Sequence, residues 1–177
     1  MRQPASNTAP ASISLAATDR LYSDLFDAEQ ATIYRLALML CGSPHVAEEI
    51  VADVFAKVLP KWRQGSLTDP VFYLRRAVVN EVRSRHRRHV NERRALARHA
   101  SHETTKAMPA PATALRTGLV AAMQQLTVRH RAVIVLRFHD DLSEAEVARI
   151  LGSPAGTIKG QTSRALEALR ALMEEEK

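Results

Sequence analysis

The chain has 177 residues, with few prolines (8) and glycines (6) and with alanine, leucine, arginine and glutamate prominent, so one or two small all-α domains are expected. A formal charge of +6 and an isoelectric point near 10.0 point toward nucleic acid or another polyanion. No apolar run reaches the ~18–20 residues of a membrane span, and one cysteine, Cys41, leaves no disulfide or zinc framework, so a reducing cytoplasm is expected.

The segment to about Thr18 is rich in Ala, Ser, Pro and Thr and lacks a basic start followed by a sustained apolar core, so it reads as a disordered tail. From Asp19, Leu21, Leu25, Ile33, Leu36, Ala37 and Leu40 recur at helical steps and predict an amphipathic helix ending near Cys41-Gly42. Ser43-Pro44 is an N-cap followed by a first-turn proline, and opens a second helix with Val46, Ile50, Val54 and Val58 as its buried stripe and Val51 and Phe55 beside it. Glu48, Glu49 and Asp53 lie elsewhere on that helix. They form either an ordinary solvated face or a docking surface for a basic partner helix.

Gln64–Pro70 (QGSLTDP) reads as a loop, with Thr68 or Asp69 capping a third helix that buries Leu74, Val78 and Val82. That helix turns strongly basic: between Glu81 and Ala100 there are seven arginines against two glutamates. Arginine enrichment without interspersed acids suits bidentate contacts to phosphate. Ser101–Thr113, with Pro109 and Pro111, is a flexible linker that divides the chain in two. About 15 such residues reach up to ~50 Å, more than one turn of B-DNA.

A helix from about Ala114 to Gln125, with Leu115, Leu119 and Met123, leads into the second domain. Val128–Phe138 is a further helix that stops at Asp140-Asp141. Ser143 with Glu146 three residues later is a capping box, and Gly152 ends the short helix that carries Val147, Ile150 and Leu151. Ser153-Pro154 starts the last helix, which runs to about Met173. Short helix, glycine turn and longer helix make a helix-turn-helix, whose second helix enters the major groove. Ile158, Ala165, Leu169 and Leu172 form its buried stripe, while Lys159, Gly160, Ser163, Arg164 and Glu167 lie opposite. Small residues there allow close approach, and Lys159 and Arg164 can reach a phosphate or a guanine edge. Glu174–Glu176 is a short acidic tail.

Catalytic constellations are lacking, and so are a phosphate loop and a nucleophile elbow. The pairs His86/His89 and His99/His102 have helical metal spacing but sit among arginines, so neither a metal nor any cofactor is expected.

Together these stretches resemble an extracytoplasmic-function sigma factor, the smallest class of the bacterial sigma-70 family. LSEAEVARILGSPAGTIKGQTSRALEALR is similar to that family's region 4. AEEIVADVFAKVLPKW and DPVFYLRRAVVNEVRSRHRR are similar to region 2. Within the family the layout reads closest to a group common in high-GC actinobacteria. The resemblance implies region 2 over residues 19–98, a linker over 99–113 and region 4 over 114–173. It implies a dissociable subunit that binds core RNA polymerase at the β′ clamp helices and the β flap, and directs it to promoter DNA, with no small-molecule substrate. Glu48, Glu49, Asp53 and Phe55 would dock the clamp helices. Gly65, Ser66, Leu67, Thr68 and Asp69 would hold a base flipped from the −10 element, and Arg76, Asn80, Arg83 and Arg87 would line the melted strand. Lys159, Gly160, Gln161, Ser163 and Arg164 would read the −35 element. Ala52-Asp53, Leu126-Thr127, Gly160-Gln161 and Tyr73 in place of an early tryptophan depart from frequent family residues and bear on which promoter is read. Regulation is expected from an anti-sigma partner or from expression. The alternatives are a stand-alone helix-turn-helix regulator, which would need a dimer interface although neither a heptad nor a second apolar patch is evident, and a protein-binding scaffold with an incidental basic stretch.

Overall fold

A computed structural model describes residues 15–99 and 118–175, and all regular structure among them is helical. The first three helices, α1 (Leu15–Cys41), α2 (Pro44–Arg63) and α3 (Pro70–His99), form one bundle. Its core is the expected stripes: Ile33, Leu36 and Leu40 from α1, Ile50, Val54 and Val58 from α2, Leu74, Val78 and Val82 from α3. Burying each such side chain is worth about 1.5–3 kcal/mol. Phe55 also lies in this core, only 4% exposed, with its ring edge-on to Phe26 at 4.7 Å.

Helix α1 starts four residues before the predicted boundary, so Leu15–Thr18 are helical rather than part of the tail. The reason lies far along the chain: Trp62 Nε1 donates to the Thr18 carbonyl at 3.0 Å, and Arg63 forms a forked ion pair with Asp19. At the start of α3, Asp69 Oδ1 accepts from the Phe72 N–H at 2.9 Å, so Asp69 is the capping residue. The predicted linker beyond His99 and the predicted helical residues Ala114–Thr117 lie outside the described residues.

The second unit comprises α4 (Gly118–Gln125), α5 (Val128–Ile134), α6 (Glu144–Leu151) and α7 (Ala155–Glu175). Helix α5 runs on into a π-helical turn over Val135–His139 instead of continuing as an α-helix to Phe138. The wider turn keeps Val135 and Leu136 buried, leaves Phe138 59% exposed, and brings Asp140 back toward the first unit. Both halves of the Ser143–Glu146 capping box form, and Gly152 takes the left-handed conformation (φ 62°) that ends α6.

The two units pack on each other. Arg131 on α5 is 6% exposed and donates to the carbonyl of Leu40, in the last turn of α1, and to the carbonyls of Gln124 and Leu126. The Gln124 amide donates to the Met39 carbonyl at 3.2 Å. Helix C-termini carry partial negative charge and carbonyls without intrahelical partners, so the second unit caps α1. Gly42 permits this twice over: its φ is +73°, and a Cβ there would lie 2.5 Å from the Gln124 side chain. Away from this cap, Arg75 Nε meets Asp140 Oδ2 at 3.1 Å, and the Arg149 guanidinium sits 4.2 Å from the Phe72 ring centroid.

Replacing Arg131 with methionine strands the carbonyls it serves, at about 1–3 kcal/mol for each buried acceptor left unpaired. The expected outcome is separation of the units: a larger radius of gyration by small-angle scattering and faster amide exchange at α4 and α5, with α1–α3 still folded. An unchanged radius would show that the cap does not hold the units together.

Candidate nucleic-acid interface

The loop between α2 and α3 is shaped by its backbone. Gly65 has φ +63° and donates to the Trp62 carbonyl at 2.9 Å, and Ser66 returns both its N–H and its hydroxyl to the Lys61 carbonyl. Leu67 is half-buried against the core and anchors the loop, while Gly65, Ser66, Thr68 and Asp69 are exposed. The loop therefore presents a short polar edge on a fixed base. Lys61 Nζ stands 5.3 Å from the Tyr73 ring centroid beside it.

Helix α3 carries that edge onward. At 100° per residue, Arg76, Asn80, Arg83 and Arg87 fall within about 60° of one another, opposite the buried Leu74–Val78–Val82 stripe. Arg76, Asn80 and Arg87 are exposed and Arg83 is half-exposed. The four residues thus share one outward face of the helix that the loop leads into.

Other arginines of the basic stretch are engaged within the protein. Arg85 bonds Glu49 (2.5 Å), Asp53 (2.8 Å) and Glu81 (3.2 Å), and Arg88 reaches Glu81 at 3.4 Å. Lys57 Nζ lies 2.6 Å from Glu81, whose side chain is 10% exposed. That bond from Lys57, reinforced by Arg85, holds Glu81 below the usual carboxylate range, and the hydrogen bond to Glu49 holds Arg85 above the usual arginine value. The acidic face of α2 is therefore partly neutralised by α3, which charge counting along the chain could not show. Glu48 and Glu49 are exposed and Asp53 is half-exposed. Phe55, expected at the same surface, is instead core: its side chain points under α2, and it can only support what Glu48, Glu49 and Asp53 present.

On α7, Ile158, Ala165 and Leu169 are buried and Lys159, Gly160, Ser163 and Arg164 are exposed, as their spacing predicts. No heavy atom lies within 4 Å of a Cβ built on Gly160, so the helix face is open there. Ser163 Oγ donates to Glu167 at 3.1 Å. Gln161 departs from the group: it is half-buried and turned toward α5, where Arg129 Nε donates to its side-chain oxygen at 3.2 Å.

Two features have no signature in the sequence. Arg75, Arg131 and Asp140 join the two units, and no local pattern marks residues whose partners lie 65 to 91 positions away. An apolar groove of about 610 Å³ also crosses both units, lined by Leu38 and Met39 of α1, Leu119 and Val120 of α4, Phe138 and Leu166. This corrects the expectation that no second apolar patch exists. Its lining is gathered from elements spread between Leu38 and Leu169, so no single stripe reveals it. No helix among the described residues is long and apolar enough to cross a membrane.

Comparison with known proteins gives concordant results. Residues 25–92 match the family model "Sigma-70 region 2" and residues 122–171 match "Sigma-70, region 4". The chain is 30% identical over 170 residues to the ECF RNA polymerase sigma factor SigL of Mycobacterium tuberculosis, covering 90% of this chain and 93% of that protein. It is 26% identical to the ECF sigma factor SigW of Bacillus subtilis over 84% of this chain and 87% of that one. Two solved structures share the fold. The sigma factor RpoE from Bartonella quintana, in complex with the anti-sigma factor NepR, has a TM-score of 0.69 at 23% identity, covering 89% and 99% of the two chains. CnrH, in complex with the cytosolic domain of CnrY, has a TM-score of 0.63 at 21% identity, covering 90% and 91%.

The Glu81 network makes the first unit acid-sensitive. Its folded-state pKa is depressed, so its contribution is present above the unfolded value, ~4.3, and is lost as pH falls through the folded value. Glu81→Gln is expected to cost about 1.5–3 kcal/mol at neutral pH, the range for hydrogen bonds to charged groups, and to flatten the acid limb of the stability profile; a Gln variant with the wild-type limb would contradict this.

Proposed function

Because the chain belongs to the extracytoplasmic-function sigma factors of the sigma-70 family, we propose that it is a dissociable, non-catalytic subunit that binds core RNA polymerase in the cytoplasm and starts transcription at promoters with its own −10 and −35 elements. The observation that carries this reading is the continuity of the exposed Gly65–Asp69 edge with the outward Arg76–Asn80–Arg83–Arg87 stripe, in a chain that also carries a helix-turn-helix.

In this reading Glu48, Glu49 and Asp53 dock the β′ clamp helices, with Phe55 holding their helix from beneath, and the second unit rests on the β flap. Residues Gly65–Asp69 receive a base extruded from the −10 element, which costs a few kcal/mol to unstack. Arg76, Arg83 and Arg87 hold the separated strand's phosphates, and Asn80 offers it a neutral donor and acceptor. Lys159, Gly160, Ser163 and Arg164 face the −35 major groove, and Gln161 meets its edge from the α5 side.

The two elements are about 25 base pairs apart, on the order of 85 Å at ~3.4 Å per pair. In the closed arrangement Phe72 of α3 touches Arg149 of α6, so one molecule cannot occupy both elements without its units separating. Opening on core polymerase is therefore a step of the function, and the free chain binds promoters weakly. RpoE of Bartonella quintana is known in complex with the anti-sigma factor NepR, and CnrH in complex with the cytosolic domain of CnrY. The apolar groove that spans both units here suits an apolar helix of such a partner, which would stabilise the closed form.

Run-off transcription with purified core polymerase tests the proposal: promoter-dependent initiation is expected only when this chain is added, and a tight, specific promoter shift by the free chain would favour a self-sufficient regulator instead. Arg164→Glu is expected to abolish use of the −35 element while leaving core binding intact, and Asp53→Arg to weaken core binding. The reverse pattern overturns the assignment. Alanine in place of Arg76, Arg83 or Arg87 is expected to lower the salt dependence of holoenzyme–promoter binding by about one unit of slope per arginine removed.

A further inference from the structure

The flank of α7 that faces α5 is held by one side chain. Arg129 donates from Nε to the Gln161 side-chain oxygen at 3.2 Å and from a terminal nitrogen to Ser153 Oγ at 2.8 Å. Ser153 precedes the first turn of α7 and Gln161 stands in its second, so the guanidinium spans the start of the helix with two separate anchors. Resting on the reading of α7 as the −35-reading helix, we propose that Arg129 is a positioning residue that sets base preference by fixing which way the Gln161 amide points.

The chemistry follows from donors and acceptors. A glutamine amide has one acceptor oxygen and one NH2 donor group, whereas a guanidinium only donates. The amide must therefore turn its oxygen toward Arg129, because the opposite orientation would set NH2 against N–H. A free glutamine reads adenine by using both ends at once, accepting from N6 and donating to N7. With its oxygen turned toward α5 and one lone pair taken by Arg129, Gln161 turns its NH2 donors toward the groove. Those match the acceptors O6 and N7 of guanine or O4 of thymine, and adenine loses its two-bond advantage. Arg129 is exposed on α5, outside the helix-turn-helix, and its role is visible only once α5 and α7 are side by side.

The test is transcription by reconstituted holoenzyme from templates with a randomised −35 element, with transcripts sequenced for the wild type, Arg129→Ala, Arg129→Lys, Gln161→Ala and Gln161→Glu. Gln161→Ala identifies the base pair concerned as the one whose preference it erases. There the wild type is expected to favour guanine or thymine over adenine. Arg129→Ala is expected to raise the share of adenine about fivefold or more, the scale of one bidentate base contact. Arg129→Lys, which lacks the planar fork, is expected to follow the alanine variant, while Gln161→Glu keeps the Arg129 contact, offers only acceptors and shifts preference toward cytosine. An unchanged profile in Arg129→Ala overturns the inference, as does a wild-type preference for adenine. A uniform loss over all −35 sequences with a smaller salt slope would make Arg129 a phosphate contact and overturn it too. Failure of the wild-type holoenzyme to make any promoter-dependent transcript is a different result and would sink the sigma-factor reading beneath it. Thermal midpoints of all four variants within a few degrees of wild type show that the profiles compare folded proteins.

Discussion

The guanidinium of Arg131 against the last turn of α1 is the contact on which the described arrangement depends. It is buried, and burial alone pushes its pKa below the usual arginine value. What stabilises it is the Leu40 carbonyl at the negative end of α1, the Gln124 and Leu126 carbonyls of its own unit and the Gln124 side-chain oxygen at 2.5 Å, rather than a carboxylate. Such a contact is directional, but it leaves the buried Arg131 Nε without a partner and holds a charge away from water at a cost of several kcal/mol. When the units part, Arg131 regains hydration and the α1 carbonyls regain water. The closed form is therefore held by geometry rather than by a large net energy.

The same division of charge runs along α3. One helix turns three ways: Leu74, Val78 and Val82 into the core, Glu81, Arg85 and Arg88 toward α2, and Arg76, Asn80, Arg83 and Arg87 outward. Arg85 pairs with Glu49 and Asp53 of α2 and braces the bundle, while Arg88 pairs with Glu81 on its own helix. The outward arginines stand exposed or half-exposed on the opposite side. A strongly basic segment thus both braces the bundle and presents an outward arginine face, because a 100° step distributes neighbouring arginines to different faces.

On α7 the division is between what is presented and what is held. Lys159, Gly160, Ser163 and Arg164 stand open, whereas Gln161 is tied to α5 and Ser163 to Glu167. Hydrogen bonds made within the protein decide which donors and acceptors remain for a groove, so the recognition surface is smaller than the set of polar residues on the helix. The π-helical turn acts similarly at a distance: by widening one turn it delivers Asp140 to Arg75 and leaves Phe138 on the apolar groove.

Local chemistry made much of this protein legible from its residues alone. Hydrophobic spacing set the helices and core stripes, Ser143–Glu146 and Gly152 marked the ends of α6, and the order of loop, basic helix and helix-turn-helix pointed to the family. These signals rest on neighbours within about a turn or two of backbone, which is why they survive without tertiary information. Phe55 as core rather than surface, Leu15–Thr18 as helix, Arg85 as a brace between helices, Gln161 as a held side chain and the cross-unit groove were decided only by folding. In each case the deciding partner lies far along the chain, and only packing brings it within the few ångströms over which hydrogen bonds and desolvation act.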